Sequence, residues 1–259
     1  MEIPIFQVDA FTSRPFAGNP AAVCLFREFP DDAVLQAIAA ENNLSETAFL
    51  APCGQRYRLR WMTPTVEVDL CGHATLASAF VLLNFIDPRQ DSVGFETRSG
   101  ELRVTREGDL YTLDLPVMPP SPCTPHQDLI PALGEAPEAV LSARDYMAVY
   151  ADEEQVRRLT PDMSRLAALD RFGIIVTAPG RDCEFVSRFF APAKGVPEDP
   201  VTGSAHCSLA PYWTERLGAR KLRARQISRR GGELTCELAA DRVRLSGRAV
   251  LFLRGTITL

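Results

Sequence analysis

The alternation of apolar and polar positions along this chain predicts a protein built mainly from β-strands. Strands are predicted at 3–11, 21–26, 47–50, 56–63, 92–97, 101–106, 110–115, 146–150, 173–178, 183–190, 222–228, 233–238, 242–246 and 249–259. Helical periodicity replaces the alternation in a segment that opens at Pro30-Asp31-Asp32 and ends at about Asn42-Asn43, at 73–85, and at 204–217 with Gly218 just beyond its end. Asp152 and Asp162 start two short helices. Segment 73–85 is apolar nearly all round, so we expect that helix to be buried.

Two segments half a chain apart share one pattern. Residues 67–74 and 198–205 both read E-x-x-x-[CT]-G-[HS]-A, and both open a predicted helix. The segments before them (60–64 and 188–192) and after them (98–102 and 230–234) also match. The shared order of strand, proline turn, glycine-led helix and hairpin indicates an internal repeat. We expect two helix N-termini, one from each half, to face each other across a cleft.

The proline-rich segment 116–125 separates the two copies of the pattern. The predicted halves are 1–118 and 119–259, with the last strand, about 249–259, joining the first half.

Composition narrows the classes of partner. The 259 residues are 46% hydrophobic and 24% charged, and the net charge of −5 argues against nucleic acid as the main partner. No apolar run approaches the ~20 residues that span a bilayer, and the N-terminus lacks the basic region of a signal peptide, so a cytoplasmic protein without membrane contact is expected. The seven cysteines form no CxxC pair, which favours reduced thiols.

One carboxylate stands out in the first half. Glu46 lies where a loop enters the predicted strand 47–50, and in period 2 it shares a face with Leu44, Ala48 and Leu50. A carboxylate held on an apolar face suits a general acid/base. The alternative is a solvated loop acid.

The second copy of the pattern also carries candidate chemistry. Pro200 holds Asp199 in an extended geometry, and Ser204 is predicted to cap the helix that follows Gly203. The helix N-termini behind Gly72 and Gly203 present free N–H groups that suit a substrate carboxylate. The alternative is a capped helix start beside an ordinary acidic turn.

Four motifs occur together and in order: DAFTSRPFAGNPAAV (9–23), NLSETAFL (43–50), MTPTVEVDLCGHATLA (62–77) and GVPEDPVTGSAH (195–206). With them the chain resembles the PhzF-like family of phenazine biosynthesis, which has the diaminopimelate epimerase fold. The resemblance implies two pseudo-symmetric α/β domains of the α+β type, each a rolled, mostly antiparallel sheet around a central helix, with the active site in the cleft between them. It also implies a homodimer that uses neither a metal nor an organic cofactor.

The resemblance assigns roles to matching residues. The glutamate of NLSETA is the acid/base of the family's phenazine enzyme, which isomerises trans-2,3-dihydro-3-hydroxyanthranilate; the matching residue is Glu46. His73, Asp199 and Ser204 match residues that line that site. His73 is a second proton carrier or hydrogen-bond donor, or else a helix-capping imidazole. Asn19 lies in a turn and either contacts the substrate or only shapes the turn.

Two other kinds of site are disfavoured. Epimerases of this fold use one thiol at each helix start, whereas here Cys71 stands at the first start and Thr202 and Ser204 at the second. Neither Cys71-x-His73 nor the adjacent His206 and Cys207 has the usual zinc spacing, so no metal is expected.

The predicted function is therefore a cofactor-independent isomerase that shifts a proton on a small carboxylate-bearing substrate. The alternatives are a non-catalytic small-ligand-binding protein on the same scaffold, and an amino-acid racemase, epimerase or lyase.

Overall fold

A computed structural model describes residues 1–259, and it is sheet-dominated with few helices. The strands are β1 (Glu2–Ala10), β2 (Asn19–Leu25), β3 (Glu46–Cys53), β4 (Arg56–Met62), β5 (Glu67–Val68), β6 (Ser92–Thr97), β7 (Gly100–Glu107), β8 (Leu110–Pro116), β9 (Ser121–Pro122), β10 (Ala139–Ser142), β11 (Tyr146–Val149), β12 (Ile174–Pro179), β13 (Phe185–Ala191), β14 (Val196–Asp199), β15 (Lys221–Gln226), β16 (Gly232–Ala239), β17 (Arg242–Gly247) and β18 (Ala249–Thr258). The mixed α/β class that the resemblance implied is confirmed.

Six α-helices interrupt the strands. They are α1 (Asp32–Asn42), α2 (Gly72–Val81), α3 (Leu129–Leu133), α4 (Glu153–Arg158), α5 (Met163–Ala167) and α6 (His206–Leu217); a π-helical turn (Leu82–Ile86) extends α2, and a 3-10 turn (Pro192–Lys194) precedes β14. Every helix is too short to cross a membrane as an apolar span.

The capping predicted from the sequence is correct at four helix ends and wrong at one. Asp152 and Asp162 accept hydrogen bonds from main-chain N–H groups at the starts of α4 and α5. Helix α1 ends at Asn43 and α6 at Gly218, both in the left-handed conformation. The predicted cap at Ser204 is wrong: α6 begins two residues later, its N-cap is Ala205, and no side chain caps it.

The chain divides into two compact units, Met1–Leu115 with Leu245–Leu259, and Pro116–Arg244. In the first unit β1 pairs antiparallel with β2 and with β18. Strand β2 runs parallel to β3, β3 antiparallel to β4, β4 parallel to β6, and β6 antiparallel to β7. Helix α2 packs against β1, β2, β3, β7 and β18, so it is the central helix of this unit.

The burial of α2 follows from its composition. All its residues except Phe80 are buried, as the unbroken apolar pattern predicted. Its hydroxyl groups bond within the helix: Thr75 donates to the carbonyl of Cys71 at 2.6 Å, and Ser78 to that of Ala74 at 2.7 Å. Buried polar groups that are satisfied within the helix do not oppose its packing.

The second unit repeats this pairing. Strand β11 runs parallel to β12, β12 antiparallel to β13, β13 parallel to β15, and β15 antiparallel to β16. Helix α6 follows β14 as α2 follows β5, and it packs against β15 and β16. The order parallel, antiparallel, parallel, antiparallel is therefore common to both units.

One ion pair is also common to the two units. Arg60 of β4 donates to both carboxylate oxygens of Glu67 at 2.8 and 2.7 Å. Arg188 of β13 donates in the same two-pronged way to Glu198 at 2.7 and 3.1 Å. These are the residues that the sequence alignment equates, so the repeat extends to side-chain contacts. Each pair ties the strand before the proline turn to the short strand after it.

The turn between β1 and β2 is held in a constrained backbone conformation. Phe11, Phe16 and Gly18 all have positive φ, and the Asp9 carboxylate accepts from the main-chain N–H of Phe16 at 3.0 Å. A Cβ on Gly18, where φ is +67°, would lie 2.2 Å from the carbonyl oxygen of Ala10. Only glycine fits there.

We expect Gly18→Ala to lower the free energy of unfolding by at least about 2 kcal/mol, since the strain of positive φ adds to a backbone clash. Gly54→Ala is the matched control, because Gly54 has φ +60° and no atom within 4 Å of the added Cβ; it should cost only about 1 kcal/mol. Urea unfolding measures both. Equal losses in the two variants would contradict the clash.

Candidate functional site

In the first unit, β2, β3 and α2 bring four chemically active side chains together. Asn19 begins β2 and Glu46 begins β3, and the parallel register sets Ala21 opposite Glu46. Helix α2 packs on both strands, with Cys71 as its N-cap and His73 in its first turn. The adjacent starts of three elements therefore form one cluster.

His73 is the centre of this cluster. Its Nε2 lies 3.3 Å from the Glu46 Oε2 atom. Its Nδ1 lies 3.0 Å from the Asn19 Nδ2 atom and 3.5 Å from the Cys71 Sγ atom. The imidazole is 3% exposed, so each of these contacts is shielded from bulk water.

These contacts define the tautomer of His73. The amide nitrogen of Asn19 acts only as a hydrogen-bond donor, so it donates and His73 Nδ1 accepts. The ring proton is then on Nε2, the atom that faces Glu46. Burial lowers the pKa of His73 to about 3, so the ring is neutral at physiological pH and presents an N–H donor to the carboxylate.

The environment of Glu46 bears on the two interpretations that the sequence left open, a carboxylate on an apolar face and a solvated loop acid. Its side chain is 15% exposed, and the next five residues of β3 are buried. This is not the environment of a solvated loop acid.

Gly72, the first residue of α2, is buried, and the main-chain N–H groups at a helix start lack partners within the helix. No side chain caps α2, so the capping role considered for His73 is wrong.

In the second unit, a separate network of hydrogen bonds positions the candidate residues. Asp199, the last residue of β14, is 8% exposed, and its carboxylate accepts from the Thr202 hydroxyl at 2.5 Å. Gln226 donates to the main-chain oxygen of Asp199 at 2.7 Å and accepts from the main-chain N–H of Thr202 at 2.8 Å. Gly203 follows in the turn before α6, where its carbonyl accepts from the N–H of His206 at 3.1 Å.

Ser204 contacts a cation that the sequence did not indicate. The Arg144 guanidinium donates to the Ser204 hydroxyl at 3.1 Å and to the Asp145 carboxylate at 3.0 Å. The guanidinium also lies over the ring of Phe172, 4.5 Å from its centroid. Arg144 and Gln226 were both missed, because each joins residues at least 24 positions away and neither belongs to a recognisable motif.

The buried groups of α6 are poor proton carriers. Burial raises the pKa of Cys207 to about 12, so this thiol stays protonated. Burial also lowers the pKa of His206 to about 4, partly offset by its bond to the carbonyl of Thr202. The second helix start therefore supplies no thiolate base, in line with the expectation from the sequence.

The lowered pKa of His206 predicts that this residue contributes to stability near neutral pH and less in acid. Its pKa is lower in the folded chain (about 4) than the ordinary 6.5, so its contribution is complete above pH 6.5 and is lost as the pH falls toward 4. Replacing it with Asn keeps a donor near the Nδ1 position and removes the titration. Between those pH values we expect the unfolding free energy of His206→Asn to fall less steeply than that of the wild type, by up to about 1.4 kcal/mol per pH unit. Parallel slopes in urea titrations would contradict this.

Comparison with solved structures first identifies the fold. A probable proline racemase from Agrobacterium radiobacter, 14% identical, superposes with a TM-score of 0.68 over 99% of this chain and 93% of that one. At this identity the likeness concerns the fold alone. The fold is thus the one shared by proline racemases and diaminopimelate epimerases.

The chain belongs to the phenazine biosynthesis-like family, PhzC-PhzF, whose model matches residues 8–255. A Pseudomonas aeruginosa protein described as an uncharacterized isomerase is 53% identical over the full length of both chains. A crystal structure of a PhzF-family protein from Enterococcus faecalis, 48% identical, superposes with a TM-score of 0.96 over 100% of each chain. The resemblance drawn from the four motifs is confirmed.

Proposed function

We propose that this protein is a cofactor-independent isomerase that moves a proton on a small carboxylate-bearing substrate, with Glu46 as the general acid/base. The observation that carries the proposal is the 3.3 Å approach of the Glu46 carboxylate to the Nε2 atom of a buried, neutral His73. Its relatives named as isomerases agree with this class of reaction.

Each step uses groups of the first unit. Glu46 takes a proton from a substrate carbon and, as the neutral acid, returns it to another position. His73 stays neutral throughout and uses its Nε2–H to orient the carboxylate or to stabilise developing negative charge. The start of α2 at Gly72 offers main-chain N–H groups to the substrate carboxylate.

The second unit offers a hydroxyl and a carboxylate. The Ser204 hydroxyl, which accepts from Arg144, supplies a polar group suited to a hydrogen bond with the substrate. Asp199, held by Thr202, supplies a carboxylate suited to a substrate amine. These assignments, together with that of Gly203, rest on the resemblance and on the contacts above.

Solvent exchange tests the proposal directly. The purified protein is incubated in D₂O with trans-2,3-dihydro-3-hydroxyanthranilate and with a panel of cyclic and open-chain amino acids, and deuterium at carbon is followed by NMR. We expect exchange into at least one of these acids that disappears in Glu46→Gln. Equal exchange by the wild type and the variant would refute the role of Glu46. Saturable binding without exchange would favour the non-catalytic binding protein.

A further inference from the structure

The cluster at the start of α2 combines three different metal-ligand types. A thiol (Cys71), an imidazole (His73) and a carboxylate (Glu46) each offer one ligand atom, and all three atoms lie within 4.8 Å of one another. Cys71 and His73 come from the helix start and Glu46 from β3. The sequence spacing therefore gave no sign of a three-ligand set.

We propose that this cluster binds a divalent transition-metal ion such as Zn²⁺, and that the bound ion blocks proton transfer by Glu46. It is a site for an inhibitor, and the proposed reaction itself needs no metal. The metal-binding part of the inference is independent of the proposed function; the inhibition rests on it.

The distances suit a tetrahedral ion once Cys71 changes its side-chain rotamer. Zinc bonds of about 2.0–2.3 Å set neighbouring ligand atoms about 3.3–3.7 Å apart. The His73 Nε2 atom is 3.3 Å from Glu46 Oε2 and 4.0 Å from Cys71 Sγ. The Cys71 Sγ atom lies nearer to His73 Nδ1, at 3.5 Å, than to Nε2, so a metal ion on Nε2 requires Cys71 to turn about χ1 into another staggered rotamer.

The ligand chemistry favours zinc over magnesium or calcium. Thiolate and imidazole are ligands of softer ions, whereas magnesium and calcium prefer oxygen. Three protein ligands leave a fourth position to water, as in open zinc sites. On binding, the Cys71 thiol loses its proton to solvent and the sulfur lone pair bonds to the metal.

The imidazole must also change its tautomer. The metal takes the lone pair of Nε2, so the ring proton moves to Nδ1, toward Asn19. The Asn19 amide can present oxygen in place of nitrogen by a half-turn about χ2, which alters its shape little. A bound ion therefore removes the Nε2–H donor and occupies the Glu46 carboxylate at the same time, which is why we expect inhibition.

The other cysteine thiols compete little with Cys71 for a metal ion. Burial raises the pKa of Cys24 and of Cys207 to about 12 and that of Cys183 to about 11, and it also raises the pKa of Cys236. These thiols resist the deprotonation that metal binding requires. Cys53 and Cys123 are partly exposed. A background with both changed to serine leaves Cys71 as the thiol of interest.

Calorimetry in this background, without substrate, tests the site. We expect one Zn²⁺ per chain, with affinity reduced at least tenfold in Cys71→Ser and in Glu46→Gln. Co²⁺ should give a thiolate-to-metal charge-transfer absorption that is absent from Cys71→Ser. Asn19→Asp should bind Zn²⁺ more tightly, because a carboxylate accepts the Nδ1–H that the metal-bound tautomer carries.

Two results would overturn the metal site: no saturable binding of one equivalent, or an unchanged affinity in a folded Cys71→Ser or Cys71→Ala protein. Once an exchanging substrate is known, Zn²⁺ should abolish exchange and a chelator should restore it. Binding without inhibition would refute the second half of the proposal. Because calorimetry needs no substrate, failure of the isomerase assignment would leave the binding result intact.

Discussion

Glu46→Gln should reduce substrate proton exchange by roughly 10²–10⁴-fold, the range in which a general acid/base contributes. The amide has the shape of the carboxylate and cannot take a proton from carbon. The melting temperature should hold or rise, because the change removes a negative charge whose side chain is only 15% exposed. Exchange rates from NMR and thermal unfolding by circular dichroism measure the two effects.

Glu67→Gln is the matched control. The Glu67 side chain is 13% exposed and belongs to the same unit, but it pairs with Arg60 and Arg98 instead of His73. We expect this variant to lose stability and to keep the exchange rate of its folded fraction. If Glu67→Gln lost exchange as fully as Glu46→Gln at temperatures where both are folded, the effect would be electrostatic and unspecific. Glu46→Asp, which withdraws the carboxylate by one bond, should fall between the wild type and Glu46→Gln.

Asn19→Asp should lower exchange by about 10²-fold or more without changing any group that handles the proton. The Asn19 amide donates to His73 Nδ1 at 3.0 Å, whereas a carboxylate there accepts only. The ring proton would move to Nδ1, and the lone pair of Nε2 would then face the Glu46 carboxylate. Two acceptors 3.3 Å apart repel, and the carboxylate loses its donor.

NMR of ¹⁵N-labelled histidine reports the tautomer without any substrate. We expect the Nε2–H form of His73 in the wild type and the Nδ1–H form in Asn19→Asp. Asn42→Asp is the control: Asn42 also donates from its amide, to the Thr47 hydroxyl at 3.1 Å, and it does not contact the imidazole ring. The Nε2–H form in Asn19→Asp, or wild-type exchange by that variant, would show that Asn19 does not set the tautomer.

Much of the fold was predictable from local patterns. The strand at 92–97 has the predicted limits, and the caps at Asp152, Asp162, Asn43 and Gly218 were read from residue type. Side-chain alternation and capping are decided by neighbours a few positions apart, which a single sequence displays. The prediction failed at Ser204 because its hydroxyl bonds to Arg144, 60 positions away.

The candidate site was predictable only in part. The motifs singled out Glu46, His73 and Asn19, and they suggested for Asn19 a substrate contact or a turn role. Its bond to the His73 ring spans 54 positions, and it exists because β2, β3 and α2 begin side by side. No local pattern encodes that distance, so the positioning role of Asn19 became visible only in the structure.

The sequence by itself determined the class of fold, the internal repeat, the starts of α4 and α5 and the family. All of these depend on periodicity, on turn and capping residues, or on motifs that are contiguous in the chain. Tertiary structure alone decided which side chains meet: Asn19 with His73, His73 with Glu46 and Cys71, Asp199 with Gln226, and Arg144 with Ser204. The tautomer and the loss of charge on a buried imidazole arise from strand pairing and helix packing, which join residues that are remote in sequence.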